Sequence, residues 1–315
     1  MTYRKLIGFG DSSFVVSLPK EWVLANNLKK GDSVSIEQED SIIKVKPITL
    51  KPTIDIREIN INFDGDIKRL KAELIYAYIN NYNIINILGN NLFNHLKGIN
   101  EAIDNLVALE VIQKTSQKIT IKDFLNVNDI SIHDTLRRMD RIVISMSEDI
   151  KEYLIGKNNK VLELLEHKEK DVNRLSNLIF KVLKRGFFHN DRAILKLDLD
   201  DIFYYWELTI FIEKVGDQLK RIPRYIKPSS NDLVLVFNEV MQQYCDAMKS
   251  NFTKDYDLAL NILTKKSQVY NNVDKLLNKL PLDSIPGLEK IKNINNFAGN
   301  LVKVYLKLRL QKDKN

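Results

Sequence analysis

A single cysteine, Cys245, occurs in 315 residues, which rules out a disulfide within the chain and fits a reducing, cytoplasmic setting. No apolar run approaches the ~20 residues that a membrane helix needs, so no membrane insertion is expected. Met1-Thr2-Tyr3-Arg4-Lys5 leads straight into a strand pattern, without the apolar segment of a signal peptide. His95, His133, His167 and His189 lie in different segments with no metal-ligand spacing. There is no Gly-x-Ser-x-Gly elbow, no Walker phosphate loop, no cysteine–histidine pairing and no His-Glu-x-x-His zinc motif. Their joint absence argues against an enzyme. Gly8-Phe9-Gly10 opens like a phosphate-binding loop, but a strand ending in Pro19 follows it where that motif requires a helix.

What is present is an ordinary globular composition, 44% hydrophobic and 28% charged. The length predicts two or three domains. A net charge of +7 and a pI near 9.1 permit an anionic partner. The excess is not concentrated at the start of the chain. Residues 1–50 hold seven Lys/Arg against six acids, a net of only +1.

Residues 6–46 organise the rest. A short strand is expected at 14–18, stopped by Pro19, which cannot donate to a ladder. One or two helical turns follow at 20–26. Gly31-Asp32 then turns the chain into a hairpin with arms at 33–37 and 42–46. So small a β-rich unit cannot bury a core alone, and without cysteine or histidine it must pair with a second copy. Gly10-Asp11-Ser12-Ser13, Val16-Ser17-Leu18-Pro19, Leu28 and Gly31-Asp32 resemble the SpoVT-AbrB swapped-hairpin family. The resemblance implies an obligate homodimer that exchanges strands and binds DNA. Arg4, Lys5, Lys20, Lys29 and Lys30 are the expected backbone contacts, with Ser12 and Ser13 beside them for base readout. The alternative is a hairpin that only dimerises.

Two prolines in 47–52 mark a linker. Residues 53–128 alternate between strand and helix periods and read as a small α/β module: strands at 56–63, 84–88, 109–113 and 118–121, helices at 67–80 and 91–106, with Asp64 and Asp66 as caps. From 130 onward six long helices are expected, at 132–155, 160–185, 199–225, 232–251, 257–280 and 287–311, in antiparallel bundles. Asp198, Asp200 and Asp201 open the third as caps. Residues 211–220 overlay 294–303 at an offset of 83, which indicates an internal duplication of three helices.

Glu213-Lys214-Val215-Gly216-Asp217, followed by Lys220-Arg221-Ile222, is similar to the third-helix motif of the PhoU helix-bundle family, and Glu169-Lys170-Asp171-Val172-Asn173-Arg174-Leu175 resembles its second helix. Together with the hairpin and the middle module, this resembles archaeal-type PhoU proteins fused to an AbrB hairpin. The expected fold is therefore multidomain α+β: a swapped-hairpin β domain at 1–48, an α/β module at 53–128, and PhoU-like three-helix bundles at 130–228 and 229–315. The resemblance implies a divalent or iron-type metal held by Glu213 and Asp217, which lie one turn apart on one helix face. The other reading of that pair is a solvated face neutralised by Lys214, Lys220 and Arg221. Asn296 and Asn300 stand at the equivalent positions of the second copy, so that site is expected to be lost or weak.

The function so implied is a cytoplasmic DNA-binding transcriptional regulator of phosphate uptake. One rival is a PhoU-type accessory protein that inhibits a phosphate transporter subunit or its signalling partner. A second is an antitoxin, although some 270 structured residues replace the short toxin-binding tail usual after such hairpins.

Overall fold

Leu136, Met139, Val143, Met146, Ile150 and Leu154 recur three and four residues apart, which puts one apolar stripe along a helix. That stripe is buried in the computed structural model, and the same rule builds most of the chain. The structure describes residues 3–10, 13–39, 42–48, 56–157, 160–187, 192, 195–228 and 231–312. The chain divides into two units, Met1–Asp55 and Ile56–Asn315.

In the first unit β1 (Ile7–Phe9) pairs antiparallel with β2 (Ser13–Val15), Ile7 facing Val15. The strand expected at 14–18 ends at Val15 because its partner ends there. α1 (Lys20–Ala25) follows Pro19, whose fixed φ suits the entry to a helix. Gly31 takes a left-handed φ of 98° in the turn that leads to the hairpin. The Asp32 carboxylate accepts from the Lys29 amide at 2.6 Å and closes that turn. β3 (Val34–Glu39) and β4 (Ile42–Pro47) then pair from Val34 opposite Pro47 to Glu39 opposite Ile42.

The second unit has two apolar cores. The smaller lies in the α/β module, formed by β5 (Glu58–Asn62), α2 (Ile67–Ile79), β6 (Ile84–Leu88), α3 (Leu96–Asp104), β7 (Leu109–Lys114) and β8 (Lys118–Asp123). Strand order is β5-β6-β8-β7, with β5 and β6 parallel across the α2 crossover and the remaining pairs antiparallel. Asp66 caps α2, its carboxylate accepting from the Lys68 and Arg69 amides. The helix expected at 91–106 is divided: a 3₁₀ turn over Leu92–His95 precedes α3.

The larger core runs through six helices: α4 (Ile132–Leu154), α5 (Val161–Arg185), α6 (Leu199–Arg221), α7 (Asn231–Thr253), α8 (Tyr256–Asp274) and α9 (Ile285–Lys312). They form two three-helix sets, α4–α6 and α7–α9, each packed internally, with α6 against α9 and α4 against α7. Asp198 caps α6 in a reciprocal box with Asp201. The α/β module leans on α5. Lys181 of α5 is wholly buried there, its Nζ 2.8 Å from Asp123 Oδ2 and donating to the Tyr78 carbonyl at 3.0 Å. Asn81 returns a hydrogen bond to the Lys181 carbonyl.

Candidate functional site

The first unit has no buried residue among those described. In the β3–β4 register Ile36 faces Val45, and Val34 and Ile43 lie on the same face. That face is open: Ile36 and Ile43 are each 67% exposed. Leu6, Phe9 and Phe14 exceed 70% as well. Exposed apolar patches of this kind are characteristic of interaction surfaces. Among the described residues of this unit the hairpin pairs along its length yet buries no side chain.

Arg4, Lys5, Lys20, Lys29 and Lys30 are all exposed, and none of their side chains makes a hydrogen bond or ion pair among the described residues. Arg4 and Lys5 precede β1, Lys20 opens α1, and Lys29 and Lys30 sit in the turn before β3. Ser13 is exposed, and its hydroxyl donates to the Phe9 carbonyl across the β1–β2 turn. Ser12 and most of the 47–52 linker lie outside the described residues, as does His189.

On the helical side, α6 carries Glu213 and Asp217 on one face, as their spacing predicts. A third carboxylate, Glu169, joins them from α5. Its Oε1 accepts from Lys220 Nζ at 2.8 Å and from Asn173 Nδ2 at 2.9 Å. Asp217 is held by Arg221 at 2.9 Å, one turn along α6. Glu213 has no hydrogen bond or ion pair among the described residues. Burial raises its pKa above the ordinary carboxylate value, Asp217 and Glu169 raise it further, and Lys214 and Lys220 offset this in part. A cavity of about 440 Å³ opens beside it, lined by Glu169, Asn173, Glu213 and Lys220 of the bundle and by Lys71 and Asn105 of the module. Gly216 faces α5 and α4, with Val172, Val143 and Met146 3.6–3.9 Å from the place of its missing Cβ, ordinary contact distances.

Among the described residues, no group of three or more His, Cys, Asp or Glu is placed to hold a metal ion. As arranged, the face offers a divalent cation one uncommitted carboxylate, because Lys220 and Arg221 already neutralise the other two. The sequence singled out Glu213 and Asp217 but not Glu169 as a member of the site. The only signal for it was the resemblance of its helix to the family's second helix. His95 packs edge-on to Phe63 and His133 to Phe252, far apart in the fold, and neither takes part.

No helix among the described residues is long and apolar enough to cross a membrane. Residues 9–53 match the family model for antidote-toxin recognition MazE, a bacterial antitoxin, and residues 136–226 match the PhoU domain model. Neither family is of an enzymatic type. No curated protein and no solved structure matches the chain. The chain thus joins a MazE/AbrB-type domain, with its open hairpin face, to a PhoU domain whose third helix carries Glu213 and Asp217.

Proposed function

We propose that the protein is a DNA-binding transcriptional regulator of phosphate uptake, dimeric through its N-terminal unit, with the helical unit as its sensor. One observation carries this reading: the first unit exposes both an uncovered apolar face and five uncommitted cations. A second copy closes the face, and pairing doubles the cations on one platform. Those cations neutralise backbone phosphates, so affinity falls steeply with salt. Ser12, Ser13 and Lys20 supply contacts to base edges.

A gel shift with genomic fragments at two salt concentrations tests this. Retarded fragments whose retention weakens at higher salt are expected, and no shift at micromolar protein in low salt overturns the reading. Lys29→Glu with Lys30→Glu weakens binding on all sequences to a similar degree, since phosphate contacts carry no sequence information.

The net of only +1 in residues 1–50 favours a second reading, in which the hairpin only dimerises and the PhoU domain inhibits a phosphate transporter subunit or its signalling partner. Retention by a transporter ATPase subunit without DNA affinity selects it. The antitoxin description of the matched N-terminal model supports a third, for which co-purification of a toxin is the test.

A divalent or iron-type cation at Glu213 and Asp217 belongs to the same proposal. Glu213 supports it, as a half-buried carboxylate without a protein partner among the described residues, beside Asp217 and Glu169: burial is the largest cause of its raised pKa and the two acids add to it, and a cation there offsets the charge of all three. Binding requires Arg221 to leave Asp217. Glu213→Ala with Asp217→Ala then lowers the metal content of protein purified without chelators, and unchanged stoichiometry removes the site.

A further inference from the structure

The groove between α5 and α6 is organised around Lys220. Glu213, Asp217 and Lys220 follow one another at spacings of four and three on α6, which sets them on one face. Glu169 reaches the same face from α5. Lys220 Nζ lies 2.8 Å from Glu169 Oε1, and both side chains are largely withdrawn from water, 18% and 15% exposed. Asn173 Nδ2 donates to that same oxygen at 2.9 Å, so Glu169 Oε2 is left without a hydrogen bond among the described residues. The Lys220 ammonium also offsets the charge of Glu213. Glu169, Glu213 and Lys220 line one cavity of about 440 Å³, and no histidine or cysteine lines it. Asp217, one turn from Glu213, is tied to Arg221 at 2.9 Å.

A lysine suits this place. Its ammonium is a compact, strongly hydrated charge on a flexible stem, closer in kind to a hydrated metal ion than a planar guanidinium is. The two cannot share it. A divalent ion lies about 2–2.6 Å from a carboxylate oxygen, so one bound to Glu169 comes within about 5 Å of the ammonium, and like charges at that distance repel. The ion therefore takes both glutamates only when the lysine swings away. Once it has, the donors in reach are carboxylate and amide oxygens. That set suits Mg²⁺, Ca²⁺ and Mn²⁺ rather than ions held by thiolate or imidazole. The cavity is far larger than a bare ion and leaves room for the waters that Mg²⁺ retains.

Building on the cation reading of Glu213 and Asp217, we propose that Lys220 is a tethered counter-cation: it holds the place of a hard divalent ion between Glu169 and Glu213, and an ion enters only by displacing it. Arg221 does the same for Asp217, from a position 44% exposed. The affinity of the ion is what remains after Lys220 has been expelled. Low concentrations leave the lysine in place, so the groove responds to a rise in the ion instead of holding it permanently. Lys71 and Asn105 of the α/β module line the same cavity, and the exchange therefore adds positive charge at the joint between module and bundle.

Titration of the full chain with Mn²⁺ at constant ionic strength, with free Mn²⁺ read by electron paramagnetic resonance, tests the proposal. Lys220→Met should bind the ion about tenfold more tightly than the wild type or better, the scale of one charge-assisted hydrogen bond. Lys220→Arg keeps the charge and should show no such gain. The gain disappears in Lys220→Met/Glu213→Gln, and a gain that persists there overturns the proposal. Thermal melts add a readout that a purely structural ion pair would not move. Without the ion Lys220→Met melts below the wild type, because Glu169 is left unpaired, and the same concentration of Mn²⁺ raises its midpoint by more. Should Lys220→Met fail to fold, Arg221→Met gives a gain of the same sign through Asp217. Wild-type binding that Lys220→Met and Arg221→Met leave unaltered overturns the competition while the cation reading stands. Absence of Mn²⁺ binding in the wild type and both variants up to roughly 10 mM overturns the two together.

Discussion

Asp140 shows how one side chain sets a pH response in this protein. It lies on α4, where the Tyr244 hydroxyl of α7 donates to its carboxylate at 2.9 Å. Burial pushes its pKa up to about 6, against the pull of Tyr244, Arg137 and Arg141. A folded-state pKa raised above the unfolded 3.8 contributes stability that is full below about pH 4 and lost as pH rises through 6. The wild type should gain at most about 3 kcal/mol, relative to Asp140→Asn, on going from pH 7.5 to pH 4. Thermal melts of both proteins across that range check this; parallel curves would refute it. The asparagine keeps an acceptor for Tyr244, so the variant should also melt higher at pH 7.5. Nothing in the sequence distinguishes Asp140 from the solvated acids around it, because its burial arises from α7, a hundred residues away. Asp198 and Asp201, by contrast, were legible as caps, since a cap is a local event.

At the level of elements, the helices were readable because their apolar stripes repeat, and their pairing was not. A stripe says which face is buried but not which charge on another helix meets its edge. Lys181 is the clearest case: it sits among Ile179, Val182 and Leu183 on α5 and reaches Asp123 at the end of β8. Breaking that pair should cost about 3–5 kcal/mol in urea unfolding, because Asp123→Ala strands a buried ammonium. Lys181→Met with Asp123→Asn should lose less than Asp123→Ala alone. The module would otherwise detach from α5 without unfolding the bundle, a distinction that amide exchange resolves. The end of α8 was misjudged for a local reason. The expected helix to 280 stops at Asp274, and Leu276 to Leu280 continue as turns before Pro281, which disfavours helical backbone just ahead of it. Glycines on the long helices also differ in what they permit. Gly216→Ala has room and should stabilise by up to about 1 kcal/mol through helix propensity. Gly287→Ala meets Ile226 and should destabilise by about 1–3 kcal/mol. Comparing the two in one denaturation series separates propensity from packing.

For the whole molecule, the contrast between the units decides behaviour. Ile56–Asn315 closes over its own cores, while Met1–Asp55 leaves Ile36, Ile43, Phe9 and Phe14 in water. On the pairing proposed above, Phe14→Asp or Ile36→Asp halves the mass seen by light scattering without lowering the helical signal. A dimer of wild-type mass in both variants would show that these faces are not the contact. Thermal unfolding of the first unit should depend on protein concentration, as it does wherever association supplies the core. That the hairpin buries no core of its own was legible from its size alone; the exposure of Ile36 and Ile43 on one face and of Ile42 on the other was not. The open face also bears on synthesis. Translation at about 5–20 residues per second means that residues 56–315 follow the hairpin off the ribosome over roughly 10–50 s. Throughout that interval the hairpin's own residues, none of them buried among those described, supply no core for it. Neighbouring nascent chains on one messenger are the nearest source of one, so two copies made side by side should assemble more efficiently than copies made apart.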